Sequence, residues 1–314
     1  MTRSRRSFAA VAVVVGALAL TGCSSGTGTG SAPGGGSTGP LPVVTAFYPL
    51  QFVVERVGGD RVSVTSLTAP GVEPHDLELS PQQVAAVSDA SLVVYLAGFQ
   101  PAVDDAVAQE SGDALDAGAG IDRLAATASQ VDEAQADGAT APTSDPHVWL
   151  DPANLQHIVD AVEKKLAEID PAGADTYRKN ASELDAALTE LDTAWKAGTT
   201  TCANRDLVVS HEAFGYLAKR YGFIQRGISG LSPDAEPSPA KIAEVADFVR
   251  ANGVSTIYYE SLVDPKVAQT VASETGATTA MLDPLEGLAK GSTDDYLTVM
   301  RKNLETVEKG QACT

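Results

Sequence analysis

Asp206-Leu207-Val208-Val209-Ser210-His211-Glu212-Ala213-Phe214-Gly215-Tyr216-Leu217-Ala218-Lys219-Arg220-Tyr221-Gly222 reads as one complete structural unit. Residues 206–210 are a short apolar run of the kind that forms a buried strand. A histidine stands at its end. Residues 212–221 read as a helix, closed by Gly222, a residue free to take a left-handed cap. Residues 223–228 return to a strand. Downstream the same alternation continues, with a helix over 240–252 opened by Ser238-Pro239, a strand over 254–259 and a helix over 265–275. A strand over 278–282 then delivers Asp283-Pro284, and residues 293–309 form a closing helix. Upstream, residues 41–47 read as a Val-rich buried strand, 49–57 as a helix stopped at Gly58-Gly59-Asp60, and 62–67 as an alternating strand. Ser80-Pro81 opens a helix over 82–88, and 91–96 is another strand. Strands alternating with helices specify parallel α/β sheets, one set in each half.

Between the halves lie two helical segments. One starts at Asp151-Pro152 and runs to about Ile169. The second starts at Asp170-Pro171 and carries Tyr177, Ala181, Leu184, Leu188, Leu191 and Trp195 at alternating steps of four and three. That spacing puts all six on one face. A helix of about 25 residues spans nearly 40 Å at ~1.5 Å per residue, enough to bridge two lobes.

The N-terminus reads as an export signal. Arg3, Arg5 and Arg6 precede a short apolar run over residues 9–20, too short for a stable membrane span. Leu20-Thr21-Gly22-Cys23 resembles a bacterial lipobox, which makes Cys23 the lipidated first residue of the mature chain. Ser4-Arg5-Arg6-Ser7-Phe8 partly resembles a twin-arginine signal, so both export routes stay open. Residues 24–40 hold only Ser, Gly, Thr, Ala, Pro and no aromatic residue, the composition of a flexible tether. With Cys23 assigned to lipid, Cys202 and Cys313 are the two remaining cysteines, and an exported chain is expected to pair them in one disulfide. The formal charge of −19 argues against nucleic acid as a partner.

The chain has four histidines. Three occupy similar contexts: Gly71-Val72-Glu73-Pro74-His75-Asp76-Leu77-Glu78, Asp145-Pro146-His147-Val148-Trp149-Leu150-Asp151-Pro152, and Val208-Val209-Ser210-His211-Glu212. His75 follows a strand, His211 ends one, His147 leads into a helix, and Asp283 terminates the 278–282 strand. Ligands of open α/β sheets gather where strands end. Three imidazoles and one carboxylate complete a tetrahedral metal site. Asp283 is the expected carboxylate, with Glu260 in reserve. Asp76, Glu78 and Glu212 are candidate hydrogen-bond partners for the imidazoles. His157, mid-helix, lacks the shared context and reads as structural or exposed. Residues 129–144 are polar and read as a mobile loop near the mouth of the site. No His-Glu-x-x-His motif is present, which weighs against a zinc hydrolase.

Pro74-His75-Asp76-Leu77-Glu78-Leu79-Ser80-Pro81, the stretch 145–152, His211-Glu212-Ala213-Phe214-Gly215-Tyr216-Leu217 and Leu282-Asp283-Pro284-Leu285 together resemble the zinc/manganese solute-binding proteins of ABC importers. The resemblance covers nearly the whole chain after residue 40. It implies two α/β lobes joined by a long, rigid helix, with metal in the cleft between them. The expected segments are a signal peptide (1–22), a lipidated Cys and tether (23–40), an N-terminal lobe (41–172), a linking helix (173–198) and a C-terminal lobe (199–314). The implied ligands are His75, His147, His211 and Asp283. The implied function is capture of Zn²⁺ outside the cell by a lipid-anchored monomer that passes it to a membrane permease and its ATPase, with no reaction catalysed. Three imidazoles favour zinc over the more oxygen-loving Mn²⁺, which stays as the alternative cargo. The loop at 129–144 has no histidine, so no second, loop-borne zinc site is expected. A surface adhesin with a structural metal site is the rival of a different class.

Overall fold

The computed structural model describes residues 39–314 except 110–111, 128–129, 132–133, 135–141 and 234. The expected signal peptide, Cys23 and most of the tether therefore lie outside the described residues, as does much of the expected loop at 129–144. No described helix is long and apolar enough to cross a membrane.

Two four-stranded parallel sheets carry the architecture. The first contains β1 (Leu41–Thr45), β2 (Val62–Ser66), β3 (Leu92–Tyr95) and β4 (Ala114–Asp116) in the order β2-β1-β3-β4. The second contains β5 (Asp206–Val209), β6 (Ile224–Gly227), β7 (Thr256–Tyr259) and β8 (Thr278–Met281) in the order β6-β5-β7-β8. The two orders are the same. In each sheet the first strand is central, and the chain crosses from one side of it to the other between the second and third strands. Central β1 buries Val43, Val44 and Thr45 in succession, as a strand covered on both faces does. Edge strand β2 alternates instead. The β4 strand and the helix before it, α3 (Pro101–Gln109), have no counterpart in the sequence reading. Three residues of edge strand are too few to show a period.

Helices α1 (Tyr48–Gly58) and α2 (Pro81–Asp89) follow β1 and β2. Ser80 and Gln83 close a capping box at the start of α2. Helices α4 (Pro152–Ile169) and α5 (Ala174–Thr199) join the halves. All six stripe residues of α5 are buried. Near its start, α5 meets the first lobe, where Asn180 Nδ2 donates to the Val57 carbonyl (3.0 Å). Near its end, Trp195 stacks on Tyr221 of α6 (Gly215–Tyr221) at 5.1 Å. The second lobe is completed by α7 (Pro239–Asn252), α8 (Lys266–Thr275) and α9 (Tyr296–Gly310).

The second sheet separates two apolar clusters. On one face Val208 and Ile257 join Val245, Val249 and Val271 of α7 and α8. On the other, Leu207, Val209 and Tyr258 belong to a cluster that continues through Trp195, Leu184 and Tyr177 of α5 to Val43, Val44 and Leu92 of the first sheet. The core that begins in one lobe thus ends in the other.

The helix read over 212–221 begins only at Gly215. Residues 211–214 spend their backbone groups elsewhere. Glu212 N–H donates to the Gly230 carbonyl (2.7 Å), and Phe214 N–H donates to the Gln225 side chain. The cost to the helix is a loop free to carry His211.

Cys202 and Cys313 form the expected disulfide, 111 residues apart. It fastens the chain end to the segment before β5, beside the Ala203 N–H···Gln311 carbonyl bond (3.1 Å). Closing a loop of this length is expected to contribute about 3–5 kcal/mol through the unfolded chain. Replacing both cysteines by serine should therefore lower the urea midpoint and steepen the slope, because the unbridged unfolded chain exposes more surface. An unchanged midpoint would show that the bridge constrains nothing.

Candidate metal centre

His75 lies in the loop after β2, and that loop is fixed at several points. Thr68 Oγ1 donates to the Ala46 carbonyl (2.9 Å), and buried Gln100 donates through Nε2 to the Pro74 carbonyl (3.0 Å). His75 N–H donates to the Glu73 carboxylate (2.9 Å), and the ring packs edge-on against Phe99, 4.7 Å between centroids.

His147 is positioned by its own neighbour. Asp145 Oδ1 accepts the His147 backbone N–H (2.9 Å) and lies 2.8 Å from ring Nδ1. This is an Asx turn, with proline between the two residues. Tyr216 of α6 donates its hydroxyl to the Asp145 carbonyl (2.8 Å), so the second lobe holds the segment that carries a first-half histidine. Trp149, fully buried, donates Nε1–H to the Pro284 carbonyl (2.8 Å).

His211 follows central strand β5. Glu260, which follows the adjacent β7, lies 2.8 Å from its Nδ1 and accepts the Ser210 hydroxyl (2.8 Å). A carboxylate on Nδ1 fixes the neutral ring with its proton there and turns the Nε2 lone pair inward.

The three Nε2 atoms converge on one oxygen. Glu286 Oε1 is 3.2 Å from His75, 3.0 Å from His147 and 3.1 Å from His211, and the His147 and His211 Nε2 atoms are 3.4 Å apart. Donor atoms around a tetrahedral zinc at ~2.0–2.1 Å stand about 3.3–3.4 Å from one another. Those four donor pairs have nearly that spacing, all of the donor atoms lie within 4.8 Å of one another, and the cluster is the group among the described residues that could hold a metal ion. His147, His211 and Glu286 are buried, and the His75 side chain is 10 % exposed.

The structure therefore gathers the three expected histidines but not Asp283. Asp283 lies at the end of β8, where its Oδ1 accepts the Leu285 N–H (2.8 Å). The chain then passes through Pro284 and through Leu285, which has φ +56°, and this turn swings Glu286 into the cluster. A left-handed leucine is uncommon, and nothing in the residue pattern announces it. Glu260 is a partner of His211 rather than a member of the cluster. Asp76 and Glu78 are exposed. Glu212 accepts from Gln130 and from Gly227 N–H instead of an imidazole. His157 is exposed and lies outside the cluster, with its Nε2 2.9 Å from the Ala119 carbonyl. Asp145, Gln100 and Tyr216 were missed. The Asp-Pro-His order of 145–147 is an Asx-turn pattern that could have revealed the first.

The charges are tightly coupled. Burial opposes charge on every ring. At His75 it prevails and lowers the pKa. At His147 it is outweighed by Asp145 and Glu286, and the pKa is raised. At His211 Glu260 and Glu286 outweigh it further, holding the pKa well above 6.5. Burial also disfavours the Glu286 carboxylate, yet the imidazoles, His211 first, hold it well below 4.5. For stability, the raised histidines contribute fully below their unfolded value of 6.5 and lose that contribution as pH rises through their folded values. Glu286 contributes above its unfolded value of 4.5 and loses it as pH falls through its depressed value. With metal removed by chelator, the thermal midpoint is expected to decline from pH 6 toward pH 9, and less steeply in His211→Ala. An equal decline in both proteins would show that the ring is not responsible.

A family model described as "Zinc-uptake complex component A periplasmic" matches residues 43–310. The chain is 34 % identical over 299 residues, 93 % of each chain, to the "High-affinity zinc uptake system protein ZnuA" of Bacillus subtilis. It is 34 % identical over 281 residues to the "Zinc-binding lipoprotein AdcA" of Streptococcus pneumoniae, spanning 86 % of this chain and 56 % of that protein. Among solved structures, the Zn(II)-bound ZnuA-like domain of Streptococcus pneumoniae AdcA superimposes with a TM-score of 0.74 at 32 % identity, over 87 % of this chain and 99 % of that one. The laminin-binding protein of Streptococcus agalactiae, described as bifunctional with adhesin and metal transporting activity, gives 0.78 at 32 % identity, over 87 % and 99 %.

Proposed function

This chain belongs to the zinc-uptake complex component A family, and on that premise we propose that it captures Zn²⁺ outside the cytoplasm and hands it to an ABC-type permease. The observation that carries this reading is the convergence of His75, His147 and His211 Nε2 on Glu286 Oε1 at 3.0–3.2 Å. In the bound state each imidazole gives one nitrogen and Glu286 one oxygen. The carboxylate lowers the net charge, and Asp145 and Glu260 hold two rings with the lone pair toward the ion. Three nitrogen donors in a four-coordinate set favour Zn²⁺ over Mn²⁺. Four protein ligands close the coordination shell, whereas a catalytic zinc keeps a position open for water. The protein is thus a carrier rather than an enzyme.

The sequence supports the setting. The apolar run at 9–20 and the Leu20-Thr21-Gly22-Cys23 stretch fit export followed by lipid attachment at Cys23, with residues 24–40 as tether. Anchored in this way, the protein stays beside the permease and ATPase that take the metal inward. The likeness to the laminin-binding protein favours adhesion as a second reading. A metal-blind variant separates the two, because it abolishes growth on limiting zinc only if transport is the function.

Zinc titration of the metal-stripped protein against a competing chelator is expected to give one tight ion per chain, not displaced by excess Mn²⁺. His147→Ala should weaken binding by more than the roughly 10–100-fold lost when only an outer hydrogen-bond partner of a ligand is removed. An unaffected variant would overturn the site.

Zinc binding at pH 7 is expected to release protons. His147 and His211 hold theirs above the usual imidazole range, and the ligands must be neutral. Calorimetry in buffers of different ionisation enthalpy reads this directly. Identical heats would mean that the rings were already neutral.

A further inference from the structure

Asp283 stands where a ligand was expected, at the end of β8, yet the chain uses it differently. Its backbone is clamped from α9, where Asn303 Nδ2 donates to the Asp283 carbonyl (2.7 Å) and Asn303 Oδ1 accepts the Asp283 N–H (3.0 Å). The next carbonyl, of Pro284, accepts Trp149 Nε1–H (2.8 Å). The following N–H, of Leu285, is taken by Asp283 Oδ1 (2.8 Å). Leu285 has φ +56°, and Ala312 is the other non-glycine residue among those described with positive φ. Three consecutive residues are thus anchored immediately before Glu286, the third of them in a conformation that leucine avoids. The Leu285 side chain is fully buried, which accounts for a leucine, rather than a glycine, at this position. Its core contacts fix the side chain, and the Asx turn holds the backbone.

We propose that Asp283 is a positioning residue for the metal centre: by accepting the Leu285 N–H it holds the left-handed turn that places Glu286 Oε1 on the three imidazoles. It thereby sets zinc affinity without touching zinc. This inference rests on reading the three histidines and Glu286 as the zinc ligands. The competing possibility is that Asp283 acts through its negative charge, or ligates directly after a rearrangement. Asparagine separates the two, because it keeps the shape and the Oδ1 acceptor and removes the charge. An Asx turn needs only the acceptor.

The test compares the wild-type chain with Asp283→Asn and Asp283→Ala. Zinc dissociation constants are measured by chelator competition, and exchange of the Leu285 amide hydrogen is measured in the metal-free proteins. Asp283→Asn is expected to bind zinc within about threefold of wild type and to keep the Leu285 amide protected. Asp283→Ala is expected to lose about 10–100-fold, the range for removing a group that orients a ligand, and to exchange that amide faster. If Asp283→Asn is as weak as Asp283→Ala while its amide stays protected, charge or ligation is responsible and the proposal falls. If Asp283→Ala binds like wild type, the turn does not need the carboxylate and the proposal also falls. Should Asp283→Ala fail to fold, Asp283→Ser, which retains a weaker acceptor, replaces it. Affinity that falls in step with faster Leu285 amide exchange then supports the proposal, and affinity lost while that amide stays protected overturns it. A wild-type chain without tight zinc would refute the site reading, whereas the amide exchange would still report whether Asp283 holds the turn.

Discussion

One carboxylate oxygen shared by three imidazoles is the contact on which the rest of the structure depends. A lone carboxylate taken into a protein interior loses several kcal/mol of hydration. Glu286 is tolerable there because three nitrogens surround it and because two of the rings, His147 and His211, are backed by Asp145 and Glu260. The charges form a layered set, acid around base around acid. The same contacts that hold the Glu286 carboxylate ionised also favour charge on His147 and His211, so each buried group offsets the desolvation of the other.

The matching strand orders explain how two halves of unlike sequence reach this point. In each sheet the chain changes sides at its first strand, so the loops after the first and third strands emerge side by side. In the second lobe those positions hold His211 and Glu260, an imidazole of the cluster and the carboxylate on its Nδ1. In the first they hold Phe47 and Phe99, whose rings contact each other and, through Phe99, His75. One lobe contributes electrostatics at its switch point, and the other contributes an apolar wall that keeps the imidazoles dry. The same topology is put to complementary uses.

Much of this was legible in the residues. The Tyr177–Trp195 stripe, the buried Val run of β1 against the alternation of β2, and the Ser-Pro starts of α2 and α7 are local signals, each governed by a period or a cap. The three histidines were legible because their contexts recur. The fourth member was not. Selecting Glu286 over Asp283 depends on a leucine in a left-handed turn, enforced by Asn303 from 20 residues on and Trp149 from more than 130 residues back. Such a turn belongs to the tertiary structure. The start of α6 was misplaced for the same reason, since Gln225 and Gly230 draw off the backbone groups that a helix would have used.

The apolar cluster that runs unbroken from the first sheet through α5 into the second has a kinetic consequence. A clamshell motion of the lobes would have to part Phe52 from Tyr296, Trp149 from Pro284 and Tyr216 from Asp145, exposing apolar surface and breaking buried hydrogen bonds together. At the rim the His75 loop meets the opposite lobe through the Gly71 N–H to Leu288 carbonyl bond (2.8 Å) and the His75–Glu286 contact (3.2 Å), and His75 is the one imidazole of the three that reaches the surface. Moving that loop would leave the lobe-to-lobe contacts in place, but it would also have to break the Gln100–Pro74 bond and the Phe99 packing that hold His75 to its own lobe, so the rim is tied down from both sides.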